Sequence, residues 1–67
     1  MSTAELFDVS LEEQVACVER ELGYRRRVYA RRVAEGKMHE RVATVEIRRM
    51  EAVLATLKQV AQGLGRG

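Results

Sequence analysis

SLEEQVACVERELGYRRRVYARRVAEGKM, residues 10–38, decides the fold. It opens on Ser10-Leu11-Glu12-Glu13, a capping box in which the serine hydroxyl accepts from the Glu13 amide and the glutamate reaches back to the serine amide. Leu11, Val15, Val18, Leu22, Tyr29 and Val33 follow at three- and four-residue steps and form one helical stripe. The stretch closes on Gly36, which can take the left-handed conformation that stops a helix, with Lys37 beside it. The spacing predicts a helix from about Leu11 to about Glu35, roughly 37 Å long at 1.5 Å per residue. Gly23 falls inside it, as a tolerated surface glycine or as a point of close approach by a partner backbone.

Outward from this stretch, the corner 36–38 is too short for anything but antiparallel neighbours. A second helix is predicted from His39 or Glu40 to about Gln62, followed by a frayed tail over 63–67. Its apolar arc is wide. Val42, Val53 and Val60 lie near one edge, Ala43, Met50, Leu57 and Ala61 fill the middle, and Ile47 and Leu54 close the other edge. One neighbouring helix needs a narrower stripe than this. The first helix has a second, weaker apolar line through Cys17, Tyr24 and Val28. The fold expected is therefore all-α: an antiparallel two-helix hairpin that homodimerises into a four-helix bundle. The core and dimer residues expected are Leu11, Val15, Val18, Leu22, Val33, Val42, Met50, Val53, Leu54, Leu57 and Val60.

Size points the same way. A chain of 67 residues makes one small domain, and such domains usually need disulfides, a metal or oligomerisation. A single cysteine, Cys17, excludes an internal disulfide, and one cysteine with one histidine argues against a zinc site within one chain. Cys17 reads as a small packed hydrophobe rather than a reactive thiol. No apolar run approaches the roughly 20 residues of a membrane span. The acidic N-terminal residues do not resemble a signal peptide, so a cytoplasmic location is expected. No motif for catalysis or cofactor binding is present: no phosphate loop, no nucleophile paired with histidine, no paired carboxylates. The expectation is a protein without enzymatic activity, cofactor or metal.

Charge is segregated. Residues 1–24 carry six acids and one base, residues 25–49 nine bases and three acids, and residues 50–67 two bases and one acid. Arg25-Arg26-Arg27-Val28-Tyr29-Ala30-Arg31-Arg32 holds five arginines in eight residues, and Lys37, Arg41, Arg48 and Arg49 add to the same end of a hairpin. Cations favour a helix C-terminus, which accounts for part of this. The rest suggests an anionic partner, with Arg25, Arg26, Arg27, Tyr29, Arg31, Arg32 and His39 as candidate contacts. Arginine suits nucleic-acid phosphates, and arginine with tyrosine equally suits a protein interface. Against DNA stand the acidic first segment and the lack of a helix-turn-helix pattern.

The order Gln14-x-x-Cys17-Val18-Glu19-Arg20-Glu21, Arg25-x-x-Val28-Tyr29, Gly36-Lys37-Met38, then Glu46-Ile47-x-x-Met50 leading to Leu54-Ala55-Thr56-Leu57, resembles the small anti-quorum-sensing proteins of bacteriophages and prophages. The likeness covers about residues 11–57. It implies a helical-hairpin dimer that acts inside the infected bacterial host. Such a dimer binds the DNA-binding domain of a LuxR-type quorum-sensing regulator, and can also bind the pilus-assembly ATPase. This chain has Ala30 where those proteins often have proline, which predicts a less kinked first helix. It has His39 where they often have serine or threonine, which predicts a weaker cap on the second helix. The readings that remain beside this one are a small nucleic-acid-binding protein and a helper in phage assembly.

Overall fold

A computed structural model describes residues 8–65. Two helices account for nearly all of them: α1, Leu11–Ala34, and α2, Glu40–Gly65. They pack against each other as a hairpin, and no strand occurs among the described residues. The acidic N-terminal segment, read above as unlike a signal peptide, lies outside the described residues except for Asp8.

The start of α1 is the capping box read from the sequence. The Glu13 amide donates to Ser10 Oγ at 3.1 Å, and the Ser10 amide donates to Glu13 Oε2 at 3.3 Å. Gln14 adds a third tie, its side-chain amide donating to the Val9 carbonyl at 2.9 Å. Ser10→Ala removes the acceptor for one orphan amide and is expected to cost about 1 kcal/mol. Thermal unfolding followed by circular dichroism checks this as a lowered midpoint, and an unchanged midpoint would place the helix start elsewhere.

The end of α1 is a Schellman turn. The Lys37 amide donates to the Arg32 carbonyl at 2.8 Å and the Gly36 amide to the Val33 carbonyl at 3.0 Å. This closure needs a left-handed residue, and Gly36 supplies it with φ of 73°. Arg32 also reaches the Lys37 carbonyl at 3.5 Å, so the reversal is held from both sides.

The end of the second helix is corrected here. α2 does not stop at Gln62 but continues through Gly65, because adding a residue to an existing helix costs far less than starting one. His39, where a weaker cap was expected than serine or threonine gives, does cap α2: its Nδ1 accepts from the Arg41 amide at 3.0 Å, while its carbonyl accepts from the Ala43 amide at 3.1 Å. A neutral imidazole with its proton on Nε2 does the work of a serine here. Gly23 agrees with the reading as a tolerated glycine: apart from its own helix, no backbone of the described residues comes near it. A Cβ there would meet only Arg27 Nη1, at 3.8 Å. Gly23→Ala is therefore expected to stabilise the protein by about 0.5–1 kcal/mol through helix propensity and a less flexible unfolded chain. Chemical denaturation should show a higher midpoint; a lower one would mean that a partner's backbone occupies the space.

The contact between α1 and α2 is thin. Among the described residues Leu22 alone is buried, at 3% exposure. Leu11, Val15, Val18, Tyr29 and Val33 on α1 are only half-buried, as are Ala43, Ile47, Met50, Leu54, Leu57 and Ala61 on α2. Val42, Val53 and Val60 do not join this contact: they remain 51%, 49% and 44% exposed. Cys17, expected to pack, is exposed as well. A stripe that is half-covered along its whole length is what one helix achieves against a two-sided apolar arc.

Candidate interaction surfaces

Two ion pairs fix the sides of the hairpin. Arg26 Nη2 lies 2.7 Å from Glu51 Oε2, and Lys58 Nζ lies 3.2 Å from Glu19 Oε2. Both bridge α1 to α2. All four groups are solvated, so each pair contributes under about 1 kcal/mol, and their use is to mark register. Relative to the contact row of α2, the helical step carries Glu51 and Lys58 one way round and Val42, Val53 and Val60 the other. On α1 the same step carries Glu19 and Arg26 one way and Cys17, Tyr24 and Val28 the other. The helices are antiparallel, so the two apolar edges emerge on the same side of the hairpin, opposite the ion pairs. Tyr24 is 56% exposed there, and Val28 is half-buried. Ala43, Glu46, Met50, Val53, Leu57 and Val60 also follow the alternating three- and four-residue steps of a coiled-coil seam, with Glu46 the one charged member. Glu46 is tied to Arg49 at 2.9 Å.

The corner end is the second feature. Of the candidate contacts, Arg25 pairs with Glu21 at 2.8 Å, the i, i+4 bridge expected from the sequence, and Arg26 pairs with Glu51. Arg27, Arg31, Arg32, Lys37, Arg41 and Arg48 make no ion pair among the described residues. All six are exposed. The hairpin brings Arg41 and Arg48 of α2 to the same end as the α1 arginines, across Gly36. Tyr29 lies on the contact stripe and is half-buried, so of the candidate contacts it is the one shared with the hairpin's own packing. His39 caps α2 and is exposed, so its ring serves the fold first. Sequence reasoning missed the two bridging ion pairs, because their partners are far apart in the chain and meet only once the register is known.

Two open grooves run between the helices on the ion-pair side. One, toward the open end, is lined by Glu19, Leu22, Arg26, Glu51, Leu54, Ala55 and Lys58. The other, toward the corner, has a volume of about 540 Å³ and a mostly apolar lining. No group of three or more metal-ligating side chains occurs among the described residues, and no helix there is long and apolar enough to cross a membrane. No protein-family model, curated protein or solved structure matches this chain.

Proposed function

We propose that this protein is a non-catalytic inhibitory binding protein that works as a homodimer and occludes a host regulator by direct contact. The observation that carries the reading is the division of the hairpin's surface. α2 exposes Val42, Val53 and Val60 on one edge, α1 exposes Cys17 and Tyr24, and the corner carries six cations with no carboxylate partner among the described residues. The apolar side suits a second copy of the chain, since two such sides face to face make a four-helix bundle. The corner stays free in that bundle to meet a partner.

The resemblance of residues 11–57 to phage anti-quorum-sensing proteins directs the choice of partner to the DNA-binding domain of a LuxR-type regulator, with the pilus-assembly ATPase as a further candidate. The compartment is then the host cytoplasm. A second reading, direct binding of nucleic acid, draws on the same cations.

Titration of the purified protein against an isolated regulator DNA-binding domain tests the proposal. Micromolar or tighter binding in nuclease-treated samples, with release of that domain from its operator DNA, is the expected result. Binding to DNA alone, weakening steeply with salt through counterion release, would favour the second reading.

A further inference from the structure

We infer that the second copy packs antiparallel along the valine edge of α2, so that the basic corner of each chain lies beside the acidic open end of the other. This orientation rests on the reading of the chain as a homodimer, and it decides how many partner-facing ends the dimer has.

The seam of α2 favours this orientation. Ala43, Met50 and Leu57 alternate in it with Glu46, Val53 and Val60. Their midpoint falls between Met50 and Val53. A two-fold axis across the seam at that point sets Ala43 over Val60, Glu46 over Leu57 and Met50 over Val53 of the second copy. Every layer then joins one residue of each series, and no layer holds two charges. The two Glu46 residues stand about 16 Å apart along the axis, past the screening length of about 10 Å in 0.1 M salt. In a parallel pair every residue faces its own copy. Two Glu46 side chains would then share one layer, each half-buried already and each held by one Arg49 at 2.9 Å.

Charge along the hairpin favours it too. The open end, residues 8–21 with 56–65, holds Asp8, Glu12, Glu13, Glu19 and Glu21 against Arg20 and Lys58. The corner half, residues 25–49, holds nine bases against three acids. Parallel packing stacks both corners at one end, whereas antiparallel packing sets each corner against an excess of acids. The pairs Glu19–Lys58 and Arg26–Glu51 set the register of α1 on α2. Carried across the two-fold axis, that register brings Glu21 of one copy within about 3 Å, measured along the axis, of Arg32 of the other. Both are exposed. Both lie on the side of α1 away from Glu19 and Arg26, the side on which α2 shows its valines. Arg32 makes no ion pair among the described residues of its own chain. Glu21 is bound through Oε2 by Arg25 at 2.8 Å and has its other carboxylate oxygen to offer.

Arg27, Arg31, Arg41 and Arg48 face away from the contact between α1 and α2 and stay outside this pairing. The antiparallel dimer carries them at two separate ends, about 40 Å apart, and can hold one partner molecule at each.

A distance between spin labels tests the orientation. Cys17→Ser/Lys37→Cys carries a nitroxide at the exposed corner, and the two labels of a dimer should lie near 40 Å apart, roughly twice the span from corner to axis. A distance under about 25 Å, as for corners on neighbouring helices, overturns the inference. Sedimentation of the labelled chain keeps the two readings apart. A dimer with the short distance removes the orientation alone, and a folded monomer removes the homodimer with it. Arg32→Glu gives a second readout, with circular dichroism verifying that the helices persist. In the antiparallel dimer it sets a carboxylate against Glu21 in two places and should raise the dissociation constant of the dimer roughly tenfold. In a parallel dimer like faces like before and after the change, so an unchanged constant contradicts the inference.

Discussion

On the proposed dimer, Val53→Glu is expected to collapse the thermal stability of the protein and to abolish association of two copies. In an isolated hairpin this residue is half-exposed, and a substitution at such a surface position shifts stability by within about 0.5 kcal/mol. In a bundle built on the apolar side, Val53 is buried against the second copy. The glutamate then carries an uncompensated charge into the interface from each chain, at a cost of several kcal/mol. That is a large share of the stability of a small domain. The two accounts differ by an order of magnitude in expected effect, and calorimetry of the variant separates them. Leu54→Glu is a poorer probe. Leu54 lies in the contact with α1, so its loss damages the hairpin whether or not a second copy is present. Leu57→Glu falls between the two.

Arg27→Glu/Arg31→Glu is expected to leave the hairpin folded and to weaken binding to the proposed target by several kcal/mol, because like charges brought together across an interface repel. Both arginines are exposed and neither makes an ion pair among the described residues, so no intrachain contact is lost. Isothermal titration against the regulator domain reads the loss, and circular dichroism reads the retained helicity. A variant that binds as tightly as the wild type makes the arginine block a solvated helix face. Attention then passes to the Cys17, Tyr24 and Val28 edge.

The features that were legible in the sequence are those in which a few adjacent residues decide the conformation. Ser10 with Glu13, Gly36 after a run of helix formers, and Glu21 four residues before Arg25 each define a local geometry, and each is present. The helical hairpin follows from them together with the short corner. Features that depend on the relative placement of α1 and α2 were not legible. Arg26–Glu51 and Glu19–Lys58 need the register of the two helices, which no local pattern specifies. The His39 cap was missed because histidine accepts a capping bond only as a neutral ring with a free Nδ1, a condition that residue type alone does not convey. The extension to Gly65 was missed because Gly63 and Gly65 read as breakers, whereas the helix preceding them has already met the cost of nucleation.

The site divides along the same line. The density of arginines was plain from residues 25–32 and from Arg41, Arg48 and Arg49. Beyond Arg25, which of them are matched by carboxylates was not, and that distinction separates Arg26 from Arg27 although they are neighbours in the chain. The width of the apolar arc on α2 was likewise visible. That its valine edge shares a side with Cys17 and Tyr24, away from the bridging ion pairs, emerges only from the antiparallel packing.

Sedimentation of the wild-type chain at micromolar concentration tests the account most directly. The account predicts a folded species with twice the mass of one chain, which loses helicity on dilution as it dissociates. A folded, fully helical monomer at that concentration would contradict it.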